Sequence, residues 1–144
     1  MLVKLYPEQF KAGWKAFAPM LKRSLPAEIA MQEKALTNLL QAVLAERATP
    51  WVELKDGTSQ AFMLTVVDEE PLLHYRRLLI YVLNVFGKVD SRDTWHEGIE
   101  TLKKHAKAQG CKEVVMYVSD ERFERHLASL GVDVSTTFMQ IPVN

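Results

Sequence analysis

Several residues in this chain are of a type and spacing that could do chemistry. Glu69 and Glu70 stand side by side at the end of an apolar run and ahead of Pro71. Carboxylates in such a place could serve proton abstraction, but a solvated turn before Pro71 is their more usual setting. His74 and Tyr75 follow closely enough to assist a base, although a histidine in a turn is by default exposed. His96 and Glu100, at i and i+4, make half of a zinc-binding helix, but no second histidine completes it, so no metal site is expected. Cys111 is the single cysteine and directly follows Gly110. With no His/Asp constellation beside it, it reads as a small structural residue rather than a nucleophile. Glu121, Arg122, Glu124, Arg125 and His126 read as a solvated helix face with weak ion pairs.

The elements that must position these residues follow from periodicity. Residues 1–6 form an opening strand. Pro7 suits the first turn of a helix, where its missing N–H costs nothing, and Phe10, Trp14, Phe17 and Leu21 recur at helical spacing behind it. Pro19 predicts a kink or an early stop in that helix. Pro26 opens a second helix that buries Ile29, Leu36, Leu39, Leu40, Val43 and Leu44 and ends before Pro50. Residues 51–54 and 61–67 flank Asp56-Gly57, a hairpin signal. Residues 77–86 are almost continuously apolar, as in a central strand covered on both faces.

Thr94 and Glu97 have the spacing of a capping box. They open a helix over 94–109 with Trp95, Ile99, Leu102 and Ala106 on one face, and Gly110 ends it. Residues 114–118 form a short buried strand, residues 120–130 a further helix and residues 132–143 a last strand. The order β-α-α-β-β-β-α-β-α-β predicts an α/β (α+β mixed) domain over 1–144, with one central mixed sheet and helices on both faces. The strands near 78–86 and 113–118 should pair in parallel across the helix between them.

Composition narrows the function classes. Hydrophobic residues make up 48% of the 144 and charged residues 25%, while the 18 lysines and arginines balance 18 acids. No global field draws nucleic acid or an anionic membrane. The longest apolar run is far short of the roughly 20 residues that span a bilayer, and residues 1–6 do not form a signal peptide. A lone cysteine suits a reducing compartment, so the cytoplasm is the expected location.

The element order resembles that of the GNAT acyltransferases over almost the whole chain. Ala106-Lys107-Ala108-Gln109-Gly110-Cys111 is similar to that family's A-x-x-x-G-C exit from its third helix. Leu130-Gly131-Val132 is similar to its Leu-Gly-Phe, and the spacing from Asp120 to Gly131 agrees with its frame for the fourth helix. The resemblance implies a phosphate cradle of the form Gln/Arg-x-x-Gly-x-Gly/Ala near residues 90–95. The sequence there is Asp90-Ser91-Arg92-Asp93-Thr94-Trp95, without a glycine and with Arg92 the single favourable charge. It implies a tyrosine general acid in helix four, where this chain has Leu127. It further implies Glu69 as the base of an active member, and Tyr81, Leu83, Val85, Arg92 and Thr94 as the residues that would bind acetyl-CoA. Trp95 would then lie at the entrance for the pantetheine arm.

Three functions follow. The missing cradle and tyrosine resemble those of degenerate GNAT-like proteins in tailed bacteriophages. That implies a non-catalytic protein without cofactor, acting on another protein or a larger assembly in the host cytoplasm or the virion. The N-terminal helices, residues 8–47, would offer the docking surface through Met20 and Met31. The alternative is an N-acetyltransferase that moves an acetyl group from acetyl-CoA to an amine through a divergent loop. The third is a ligand-binding or regulatory module using the cleft between the strands that end at Phe86 and Val118.

Overall fold

The computed structural model describes residues 1–25, 27–89, 91–116, 125 and 127–131. The elements among them are β1 (Leu2–Lys4), α1 (Pro7–Ala12), α2 (Trp14–Ser24), α3 (Ala27–Ala30), α4 (Ala35–Leu44), β2 (Ala48–Lys55), β3 (Thr58–Glu69), β4 (Arg76–Val85), α5 (Arg92–Ala108) and β5 (Cys111–Met116). The last strand expected over 132–143 lies outside the described residues, as do Val118, Asp120 and most of the following helix.

The five strands lie in the order β1-β2-β3-β4-β5. The first three pairings are antiparallel and β4–β5 is parallel, with α5 as the crossover. This is the mixed sheet expected from the sequence, and the parallel pair falls where it was predicted. Asp56 and Gly57 both take positive φ, 51° and 76°, so the β2–β3 hairpin closes in two residues, with Lys55 facing Thr58.

Helices cover both faces. On one, which we call the helical face, Phe10, Leu21, Leu25, Leu39 and Val43 pack on Ala48, Val52, Phe62, Leu64 and Val82. Phe10 stacks on Phe17 at 5.2 Å and on Phe62 at 6.2 Å, while Phe17 meets Phe62 at 5.4 Å. On the other, the α5 face, Leu102 and Ala106 pack on Trp51, Met63 and Leu78. Trp51 donates its indole N–H to Thr65 Oγ1 at 3.0 Å, which satisfies the two polar groups buried there.

Three local expectations are corrected. The first helical stretch breaks at Gly13, and its second part does not stop at Pro19 but continues to Ser24. Glycine is the weakest helix former after proline. Burial of Leu21 and Phe17 against the sheet outweighs the bond that Pro19 removes, about 3 kcal/mol. The second stretch is likewise divided by a turn at residues 31–34, and Leu44 is exposed rather than buried. Finally, α5 begins at Arg92 with Ser91 at its N-cap, so Thr94 and Glu97 lie inside the helix and form no capping box. Gly110 does take the left-handed conformation expected of a helix stop, φ 74°. No helix among the described residues is long and apolar enough to cross a membrane.

Candidate functional site

The site is built around a bulge in β4. Leu64 faces Val82 and Thr65 faces Ile80, so Tyr81 has no partner on β3. Side-chain alternation slips at the same point. Leu78, Ile80 and Leu83 lie on the α5 face, whereas Tyr81 and Val82, adjacent in sequence, both lie on the helical face. A bulge of this kind takes backbone groups out of the ladder and re-aims them. The described β4–β5 ladder ends at Ile80↔Met116, one residue before the bulge.

A cavity adjoins the bulge on each face. The one on the helical face is a wide cleft of about 840 Å³ between α3–α4 and strands β3–β4. Its walls mix Leu39, Leu64, Val66 and Leu79 with Gln32, Glu33, Lys34, Asn38, Asp68 and Tyr81. The one on the α5 face holds about 90 Å³ and is almost wholly apolar, with Ile80, Leu83, Ile99, Leu102, Met116 and Leu127 in its walls. Gly98 also lines it, in the middle of α5, where glycine costs about 1 kcal/mol relative to alanine.

The loop from β4 to α5 is clamped by Gln60. This residue is itself the extra one of a second bulge, since Glu53 faces Ala61 while Leu54 faces Ser59. Its carbonyl accepts the N–H of Phe86 at 3.0 Å and of Gly87 at 2.8 Å, and its Oε1 accepts that of Lys88 at 2.9 Å. The Gln60 side chain fills the space a Cβ on Gly87 would need, so only glycine permits this approach. Further along, the Trp95 indole donates to the Val89 carbonyl and walls the small cavity. Arg92 is exposed and donates to the Ser129 carbonyl at 3.4 Å.

The residues proposed from sequence divide accordingly. Tyr81 lines the cleft on the helical face, while Leu83, Val85 and Thr94 line the small cavity on the α5 face, together with Trp95 and Leu127. Arg92 is the first residue of α5 and lines neither cavity. Glu69 is brought to neither. It ends β3 opposite Arg76, four residues beyond Thr65, or ~13 Å of strand. Its carboxylate meets His74 Nδ1 at 2.8 Å in an exposed turn. Glu70 is equally occupied, accepting the N–H groups of Leu72 and Leu73.

Other groups have structural surroundings. The Tyr75 hydroxyl donates to Glu113 at 2.9 Å, and that bond chiefly pushes its pKa up. Burial raises the Cys111 thiol, the opposite of what a nucleophile needs. Glu100 is held below the ordinary carboxylate range by its hydrogen bond from Lys103 at 2.9 Å. No cluster of three metal-binding side chains occurs among the described residues. Of the helix-four charged face, Arg125 is exposed and the remainder lies outside the described residues.

No protein family profile and no curated protein matches the sequence. Solved structures do match. A probable acetyltransferase is 14% identical with a TM-score of 0.69, covering 100% of this chain and 97% of that one. The aminoglycoside N-acetyltransferase AAC(6')-Iy, solved with the bisubstrate analogue CoA-S-monomethyl-acetylneamine, is 11% identical with a TM-score of 0.74 over 100% and 97%. A ribosomal-protein-alanine N-acetyltransferase from Brucella melitensis biovar Abortus 2308 is 14% identical with a TM-score of 0.67 over 99% of both chains. At these identities the likeness establishes the fold alone: the five-stranded mixed sheet with its flanking helices is a GNAT-like fold. It does not bear on the resemblance to phage proteins.

Proposed function

We propose that this chain is an N-acyltransferase that takes an acyl group from acyl-CoA and passes it to an amine. The observation that carries this reading is the bulge at Tyr81, with a wide cleft of mixed lining on one side and an apolar cavity on the other. Acyl-CoA supplies a thioester, whose carbonyl carbon accepts an amine with the thiol as leaving group. Tyr81 is the residue of β4 left without a partner on β3, and its backbone amide is the donor for the thioester carbonyl, where charge builds during attack. The amine reaches that carbon from the open helical-face cleft, whose walls carry Glu33, Lys34 and an Asp68 already paired with Arg77 at 2.9 Å. An acceptor that arrives as an ammonium first releases one proton to solvent; its nitrogen then bonds to the carbonyl carbon, the carbon–sulfur bond breaks, and the second proton lost by nitrogen is the one taken up by the thiolate. Glu69 is too far along β3 to take that proton directly, so water in the open cleft carries it.

The phosphate end is the weaker fit. Lys88 and Arg92 supply positive charge, and the N-terminus of α5 supplies backbone N–H groups, but Asp93 opposes both. The absence of glycine from residues 90–95 is the specific feature that favours the second reading, a GNAT-like protein acting through protein contacts without cofactor. Structural neighbours described as acetyltransferases, one solved with CoA, weigh toward the first.

A turnover assay separates the two. Purified protein with acetyl-CoA or butyryl-CoA and a panel of primary amines is followed by release of free thiol. Amine-dependent release supports the transferase. None across the panel, from protein that co-purifies with a larger complex, supports the contact-only reading.

A further inference from the structure

We infer that the apolar cavity on the α5 face receives the acyl tail of the donor and selects a chain of about four carbons over acetyl. This rests on the acyl-transfer reading and adds to it the identity of the group transferred.

The first argument is position. Ile80 and Leu83 stand on either side of the bulge, and both project to the α5 face and wall the cavity. A carbonyl held at the Tyr81 amide therefore has the wide, open cleft with its mixed lining on one side and the narrow apolar cavity on the other. An acyl group presents the same duality, an electrophilic carbon that must face the amine and an apolar tail that must leave water. The two cavities sort these two demands.

The second argument is size and chemistry. An apolar cavity of ~150 Å³ stays dry and admits benzene, a six-carbon ligand. Scaled to 90 Å³, the same packing admits three or four carbons. That matches the tail of a butyryl group beyond its carbonyl. Trp95, fixed by its bond to Val89, closes the loop side and limits the length.

The third argument is Gly98. Its φ is not positive, so its backbone conformation does not require glycine. A Cβ there would meet nothing within 4 Å, so no neighbour requires it either. What the missing side chain preserves is the width of the cavity. A helix interior that would gain from alanine instead carries the one residue that keeps the space open.

The test is a calorimetric titration of CoA, acetyl-CoA, butyryl-CoA and octanoyl-CoA into the wild-type chain, Gly98→Ala and Gly98→Leu. Burial is worth about fourfold in affinity per methylene, so two added methylenes should make butyryl-CoA bind about 15-fold more tightly than acetyl-CoA. Octanoyl-CoA should lose that gain. Gly98→Leu should bring the butyryl-to-acetyl ratio near one. Gly98→Ala should lower it partway while raising Tm, and it decides the matter alone if the leucine variant does not fold. Binding of CoA with no chain-length preference, or a preference that survives both variants, overturns the tail pocket and leaves acyl transfer standing. Failure of every CoA species to bind removes the acyl-transfer reading and the pocket with it.

Discussion

The two faces of the sheet solve the same packing problem differently. On the helical face, four short helices press an aromatic cluster against β2, β3 and β4, and the cleft beside it is wide and rimmed with charge. On the α5 face, among the described residues, the long α5 covers a smaller core, and together with Leu127 it borders a narrow apolar void. Stability is concentrated on the first face and steric selection on the second. They meet at Tyr81, where the bulge gives both access to the same backbone.

Perturbations of the two faces should therefore read out differently. The largest effect is expected from Phe10→Ala, which empties a fully buried site in contact with Phe17 and Phe62. Loss of about 3–5 kcal/mol in urea-induced unfolding is expected. A loss under 1 kcal/mol would show that the aromatic cluster does not anchor the helices.

Deleting Tyr81 should restore regular alternation along β4 and return its amides to the ladder. The chain should fold, and turnover should drop by about 10²–10³, the effect of losing one positioned donor. Retained activity would mean that the bulge is not where the carbonyl sits.

A smaller effect is expected at the start of α5. Charges at a helix N-terminus contribute about 0.3–1 kcal/mol, so Arg92→Ala should weaken CoA binding and Asp93→Asn strengthen it, each by about two- to fivefold. Tight binding that neither change alters would place the phosphates elsewhere.

The smallest effect distinguishes the α5 face by pH. His105 meets Trp51 edge-on at 4.9 Å, and desolvation, with Lys4 nearby, holds its pKa below the ordinary 6.5. The folded state thus binds fewer protons than the unfolded one, so stability is full above pH 6.5 and falls as pH drops from there toward the lowered pKa. In His105→Gln, thermal melts across this range should show a shallower dependence. An unchanged dependence would assign it to another group.

Much of this was legible in the sequence because long-period signals are robust. Apolar spacing located α5, the near-continuous apolar run located β4, and Asp56-Gly57 located the hairpin. The break at Gly13 was not, because Pro19 was the stronger local signal and only burial of Phe17 and Leu21 overrode it. The start of α5 was missed by two residues, since Thr94 and Glu97 match a capping spacing that the backbone does not use.

The site was less legible. Tyr81 and Leu83 were picked out as candidates, but a bulge depends on the register against Leu64 and Thr65, which one strand read alone does not reveal. Gln60 carried no signal at all, because its role arises from a second bulge and a loop distant in sequence. Gly98 was not singled out in the sequence, since a glycine inside a helical pattern becomes interpretable only once the cavity beneath it is known. Glu69 drew attention by type, whereas its register at the far end of β3 sets it apart from Tyr81.

The most direct measurement is isothermal titration of acetyl-CoA into the wild-type chain and into the Tyr81 deletion, with circular dichroism confirming that both are folded. A single-site isotherm in the wild type that is abolished in the deletion is the predicted result. No binding by the folded wild type, or equal binding by the two, would contradict the assignment of the β4 bulge as an acyl-CoA site.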